Sequence, residues 1–370
     1  MRGTQQKQYR TNKRRPLSNA DGKQNTMKVY HASLETAQHG PKGLLGCLQF
    51  TKKAKGSGII ASNFLLQGAD GKLRSASEIK AMFDGEGMLL DGVSCHCPLW
   101  VHTTAWTGSP SIRPFIPGDV AKLSVEEIEA WAENYLLELF DLCAELGVKI
   151  LTTFWGNAWG WEVASGYPWG FWTGPDFELI KRGNERFVTK TAKIRARANE
   201  LGIKLCHEIH PGTGAQCADD MLKLLSLTDN DPCMAVNGDP SHCWEGEDME
   251  TRFRKVGHLI WCTHVKNHHV VRGMALRCMA EAWPERPMQF VPLADGDLNM
   301  LRYVELLVSV GYPQRYRGLM GTATAPLAAE TESGHWALDT VGADGIAFIN
   351  DKLCLDVAEG SFQDGMGEAK

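Results

Sequence analysis

The chain has 370 residues, 43% of them hydrophobic, and a formal net charge of -5, so it can bury a large core but offers no broad basic field to nucleic acid. A pI near 6.2 and the lack of any apolar run long enough to span a bilayer point to small-molecule or protein partners, with neither nucleic acid nor membrane expected. Eleven cysteines, an odd number scattered from Cys47 to Cys354, suit reduced thiols in a cytoplasmic core better than a disulfide framework. No secretory h-region opens the sequence, and a soluble cytoplasmic protein is expected.

Residues 1–27 stand apart. Arg2, Lys7, Arg10, Lys13, Arg14, Arg15 and Lys23 face one acid, Asp21, among Gln, Asn, Ser and Thr. A segment this poor in apolar residues cannot fold alone, so a disordered basic tail is expected before a single domain over 28–370.

From residue 28 onward, short apolar runs alternate with longer amphipathic ones. A first strand is expected between residues 45 and 63 and a second over 91–97. Ser124-Val-Glu-Glu127 has the spacing of a capping box, and Val125, Ile128, Trp131, Tyr135, Leu139, Leu142 and Leu146 follow at helical intervals before Gly147. A strand over 149–154 comes next. It runs into a Gly-rich stretch holding Trp155, Trp159, Trp161, Tyr167, Trp169, Phe171 and Trp172, too irregular for a helix. These rings suit either core packing or a flat wall above a binding site.

The helix, glycine, strand grammar then recurs: a helix over 176–201 ends at Gly202, and another over 298–310 ends at Gly311. Further strands are expected over 204–208, 233–237, 259–264, 288–292 and 326–330. Eight strands in βα repetition predict an α/β fold, a closed (β/α)8 TIM barrel with loop insertions, whose chemistry sits at the C-terminal strand ends.

Four of these runs end in residues of metal-ligand type: Glu208, Asp239, His264 and Glu330. Three carboxylates and one imidazole form the oxygen-rich set that a divalent cation needs to hold two sugar oxygens, with Mn favoured over Mg or Co. Strand parity supports the placement. Glu208 shares a face with Cys206 and His210, while His207 turns with Leu205 toward the helices. Cys95-His-Cys97 reads as a strand with two buried thiols in preference to a second metal site.

The order Glu, Asp-x-x-His, His, Glu resembles the xylose-isomerase-like barrels, the sugar isomerase and epimerase superfamily that binds one divalent ion. The resemblance implies that Glu208, Asp239, His264 and Glu330 are the ligands and that His242 touches a substrate oxygen. The related endonuclease IV group carries further His and carboxylate ligands for three zinc ions, which are not apparent here. The segments 94–106, 166–172, 206–212, 239–246 and 264–268 resemble more narrowly the catalytic subunit of bacterial C-glycoside deglycosidases. That branch implies a small β-rich partner subunit, a hetero-oligomer, and a 3-oxo-glucosyl substrate joined by carbon to an aromatic aglycone.

The chemistry of such a substrate suits these residues. A C-glycosidic bond cannot be protonated and hydrolysed like an O-glycoside, but a carbonyl at C3 acidifies the hydrogen on C2, and β-elimination then expels the aglycone. His210 or His242 is the expected base, His102 an acid toward the aglycone and Lys266 an oxyanion stabiliser. Trp106, Trp155, Trp159 and Trp169 are the expected substrate-facing rings. A keto-sugar isomerase or epimerase, working through an enediolate on the same metal without a partner, is the competing expectation.

Overall fold

The computed structural model describes residues 26–156, 177–244, 246–274 and 286–358. A short strand β1 (Thr26–Lys28) comes first, so Thr26 and Met27 of the expected tail belong to a regular element. Seven parallel strands follow: β2 (Tyr30–Glu35), β3 (Gly58–Ser62), β4 (Leu89–Ser94), β5 (Ile150–Thr153), β6 (Lys204–Glu208), β7 (Met234–Gly238) and β8 (Ile260–Val265). After β9 (Asn267–Val270) and β10 (Met288–Val291), strand β11 (Ala325–Ala329) closes the barrel between β8 and β2. A last strand, β12 (Asp356–Ala358), pairs antiparallel with β1. The protein is a TIM barrel.

Most barrel strands are continuous buried runs, as strands covered by helices on one side and core on the other must be. Strand β2 differs. Tyr30, Ala32 and Leu34 alternate with His31, Ser33 and Glu35, and the polar set turns inward. His31 Nε2 lies 3.1 Å from Asp91 Oδ1, and Ser33 Oγ donates to Asp91 Oδ2 at 2.6 Å, so a polar network fills the barrel floor.

Four sequence expectations are corrected. The first barrel strand is β2, not a segment within 45–63; the strand found there, β3, is the second. The 288–292 run is not a barrel strand, because β10 pairs antiparallel with β9 in a separate two-stranded sheet. The 91–97 strand ends at Ser94, and His96 opens a helix to Thr104, which takes Cys97 out of the barrel wall. The helix over 176–201 is two, Phe177–Lys190 and Ala192–Leu201, broken at Thr191.

The helix Val125–Leu146 has both halves of its capping box, with Glu127 N donating to Ser124 Oγ and the Glu127 carboxylate accepting from Ser124 N. It stops at Gly147, whose φ of 79° favours glycine. The described cysteines are free thiols. Among the described residues, no helix is long and apolar enough to cross a membrane.

Candidate metal centre

Glu208 ends β6, Asp239 follows β7, His264 is the penultimate residue of β8 and Glu330 follows β11. Consecutive barrel strands therefore deliver all four to one end of the barrel, the C-terminal end. One potential ligand atom from each lies within 4.8 Å of the others, and all four residues are buried. His264 Nδ1 stands 2.9 Å from Glu208 Oε2 and 3.1 Å from Glu330 Oε2.

Three buried carboxylates crowded beside one imidazole shift one another's protonation. Burial works against the charged form of His264, but Glu330 and then Glu208 hold its pKa well above the ordinary histidine value. Burial, then the charge on Glu208, pushes Asp239 up to about 8. Asp239 Oδ1 accepts from Ser241 N at 2.7 Å, whereas Oδ2 is buried and makes no hydrogen bond, with His242 Nε2 3.5 Å away. A buried unpartnered carboxylate oxygen is costly unless something positive binds it. That orphan atom, in an oxygen-rich set with one nitrogen, fits a divalent cation held by Glu208, Asp239, His264 and Glu330.

Further residues order these four, and the sequence reading missed them. Asn237 Nδ2 donates to Glu208 Oε2 at 3.0 Å and lies 3.1 Å from His264 Nδ1. Gln38 Nε2 donates to Glu330 Oε1 at 3.0 Å. His96 Nε2 lies 3.5 Å from Glu208 Oε2, and Glu35 Oε2 lies 3.3 Å from His264 Nε2. Tyr303 OH lies 2.6 Å from the Gly238 carbonyl and 2.9 Å from that of His264, bracing β7 against β8 beneath the centre. The signal for Glu35 was present, as the last inward position of the alternating strand β2.

A cavity of about 650 Å³ opens above these side chains, its polar floor formed by His96, Glu208, His210, Lys266, Glu330 and Glu332. Trp100, Phe115, Trp131, Tyr135 and Phe154 form an aromatic wall. Four of these five come from the insertion between β4 and β5 and the helix that follows it, and Phe154 lies just beyond β5. A second cavity of about 520 Å³, between residues 292–295 and the helix Leu338–Phe348, contains none of the metal-group residues.

The expected catalytic residues separate into distinct environments. His210 lines the cavity, and its Nδ1 donates to the Pro211 carbonyl at 2.7 Å, which leaves Nε2 with its lone pair. Burial lowers its pKa, keeping the ring neutral. His242 Nε2 lies 3.1 Å from Glu208 Oε1, and burial followed by His210 brings its pKa down to about 3. Lys266 Nζ lies 3.2 Å from Glu330 Oε2 and 2.5 Å from Glu332 Oε2; burial opposes its charge, but Glu330 and Glu332 keep it an ammonium.

His102 sits elsewhere, its ring nitrogens 3.0 and 3.1 Å from the Glu129 and Lys190 carbonyls, between helices and off the cavity lining. Trp106 is likewise off the lining, with the guanidinium groups of Arg182 and Arg186 about its ring. Trp155 is fully buried against Phe187, so it serves the core. Trp159, Trp161, Trp169 and Trp172, with Tyr167 and Phe171, lie outside the described residues. His207 turns outward as parity required, accepting from Trp155 N at 2.8 Å.

A closed parallel barrel with carboxylates and an imidazole gathered at its C-terminal mouth puts a candidate metal centre where barrels of this class carry their chemistry. Over residues 74–330 the sequence matches the family described as the xylose isomerase-like TIM barrel, and the chain belongs to that family. No curated protein matches the sequence. Among solved structures, the fold is similar to the probable 3-DHS dehydratase AsbF of Bacillus anthracis, at 16% identity and a TM-score of 0.57 over 87% of this chain and 99% of that one. It is similar to the 3-keto-D-glucoside 4-epimerase YcjR of E. coli, at 12% identity and 0.55 over 88% and 99%. A xylose isomerase-like barrel of Mycobacterium smegmatis in complex with magnesium is also similar, at 16% identity and 0.54 over 86% and 95%.

Proposed function

We propose that the chain is the barrel subunit of a Mn-dependent carbon-carbon lyase that releases an aromatic aglycone from a 3-oxo-C-glucoside. The observation that carries this reading is the cavity: one polar floor of carboxylates, a neutral histidine and an ammonium, facing an aromatic wall. A free pentose or hexose needs the floor alone. A flat aglycone carried by the sugar needs the wall as well.

When bound, the divalent ion supplies Lewis-acid polarisation of the C3 carbonyl and a template for its neighbouring oxygen. His210 then removes the C2 proton, since its tautomer presents a bare Nε2 and burial keeps it neutral. The Lys266 ammonium faces the same floor and stabilises the negative charge that leaves C2 for the carbonyl oxygen. Collapse of that charge breaks the C1-aglycone bond, and the His210 imidazolium formed in the first step returns its proton to the aglycone carbon, so that a neutral aglycone leaves and His210 is regenerated. His242 serves here as a hydrogen-bond partner that steers Glu208.

The small β-rich partner is part of the proposal. Phe64 and Phe115, 43% and 40% exposed at the cavity rim, give it an apolar edge to cover. A keto-sugar epimerase is the second reading, favoured by two carboxylates, Glu208 and Glu330, that both reach the cavity. The E. coli relative is described as acting on a 3-keto-glucoside, the same oxidised sugar, and that supports the sugar half of either reading.

Chromatographic assay of aglycone release from a 3-oxo-C-glucoside, with Mn or with chelator and with or without a co-purifying small subunit, tests the proposal. Chelator-sensitive release is expected. Absence of release under all conditions, with epimerised sugar recovered, would replace the lyase by the epimerase.

A further inference from the structure

Glu35 is wholly buried at the end of β2, far in sequence from every candidate ligand. A lone carboxylate in such a place is costly, and it persists where donors and positive charge answer it. One oxygen is fully answered. Oε1 accepts from Ser94 Oγ at 2.7 Å, from Ala37 N at 3.0 Å and from Ser62 Oγ at 3.3 Å. These donors fix the carboxylate plane from three neighbouring points at the strand ends.

The other oxygen points elsewhere. Oε2 is buried, accepts no hydrogen bond from the described residues, and stands 3.3 Å from His264 Nε2, which is also buried and without a hydrogen bond. The opposite ring nitrogen, Nδ1, faces Glu208, Glu330 and the Asn237 amide. An imidazole that binds a cation through Nδ1 must carry its proton on Nε2, and the acceptor available to that proton is Glu35.

We infer that Glu35 is a positioning residue that accepts the Nε2 proton of His264, fixing the tautomer and ring plane in which Nδ1 binds the metal. The inference rests on the metal reading of the four-residue centre and adds to it a residue from the first barrel strand. Glu35 does not touch the ion. It acts through His264, raising the electron density that the imidazole offers and removing the ring's freedom to flip.

Mn(II) binding, read from the EPR signal of free Mn(II), tests this without reference to turnover. The proteins are wild type, Glu35→Gln, Ser94→Ala and His264→Ala, each first melted in chelator to compare the metal-free folds. Glu35→Gln is expected to weaken Mn(II) binding about 10- to 100-fold, the range for loss of such outer partners, with the metal-free melting curve close to wild type. Its Co(II)-substituted absorption spectrum is expected to shift, which a purely structural role for Glu35 would not produce.

Ser94→Ala, which frees one anchor of Glu35 without touching the centre, is expected to weaken binding by a smaller factor, and it decides the case if Glu35→Gln does not fold. Wild-type affinity and an unchanged spectrum in the folded variant would overturn the inference. Failure of the wild type to bind, or wild-type affinity in His264→Ala, would instead overturn the metal reading itself.

Discussion

At the scale of single residues, the two histidines proposed for the base differ in what their nitrogens touch. His210 gives its Nδ1 proton to a backbone carbonyl and keeps Nε2 for the cavity, whereas the Nε2 of His242 is engaged with Glu208. His210→Gln is therefore expected to cut the rate of proton abstraction by about 10²–10⁴, with Mn binding retained; the check is steady-state kinetics beside a metal titration. Trp100 meets Phe154 edge to face, with ring centroids 6.0 Å apart, and both line the cavity. Trp100→Ala is expected to raise KM for aromatic C-glucosides while leaving exchange on a simple keto-sugar unchanged. Equal effects on both substrates would remove the aromatic wall from the account.

At the scale of elements, helix ends and strand ends place the site, and their stability is measurable apart from activity. Ser124 caps the long helix Val125–Leu146, whose residues Trp131 and Tyr135 reach the cavity. Ser124→Ala is expected to cost about 1 kcal/mol, read by denaturant unfolding. Asp231 joins the helix Ala192–Leu201 to the start of β7, accepting from Arg195 Nη1 at 2.6 Å, Asn199 Nδ2 at 2.7 Å and Cys233 N at 3.1 Å. Burial opposes its charge, but the bonds from Asn199, Cys233 and Arg195 hold its pKa below the ordinary aspartate value.

A depressed folded pKa gives stability that is full above the unfolded value of about 3.9 and fades as pH falls through the folded value. Asp231→Asn is thus expected to lower Tm at neutral pH and to match wild type in strong acid. A Tm difference that persists there would contradict the linkage.

Elements also show where the sequence was legible. Strands β6, β7, β8 and β11 are short buried runs closed by a ligand-type residue, so their ends could be read directly. Strand β2 hid because its inward face is polar: His31, Ser33 and Glu35 serve a buried network, and the alternation lacks the apolar run expected of a barrel strand. The 288–292 run misled for the opposite reason. Its apolar residues suit any strand, and nothing local says that β10 folds back on β9 instead of joining the barrel. The aromatic wall lay beyond local reading as well, because Trp100, Phe115 and Trp131 meet only through packing of the insertion between β4 and β5.

At the scale of the whole molecule, the barrel converts distance along the chain into proximity. Glu35 and Glu330 lie near opposite ends of the described chain, yet both approach His264, because β11 closes the barrel against β2. The central claim is that this mouth removes a proton beside a sugar carbonyl with the help of a divalent ion. Proton NMR of a 3-oxo-glucoside in heavy water, with protein and Mn, measures that step whether or not a bond to an aglycone then breaks. The expected result is deuterium entering C2, suppressed by chelator and by His210→Gln. A C2 hydrogen that stays in place while Mn is demonstrably bound would contradict the account.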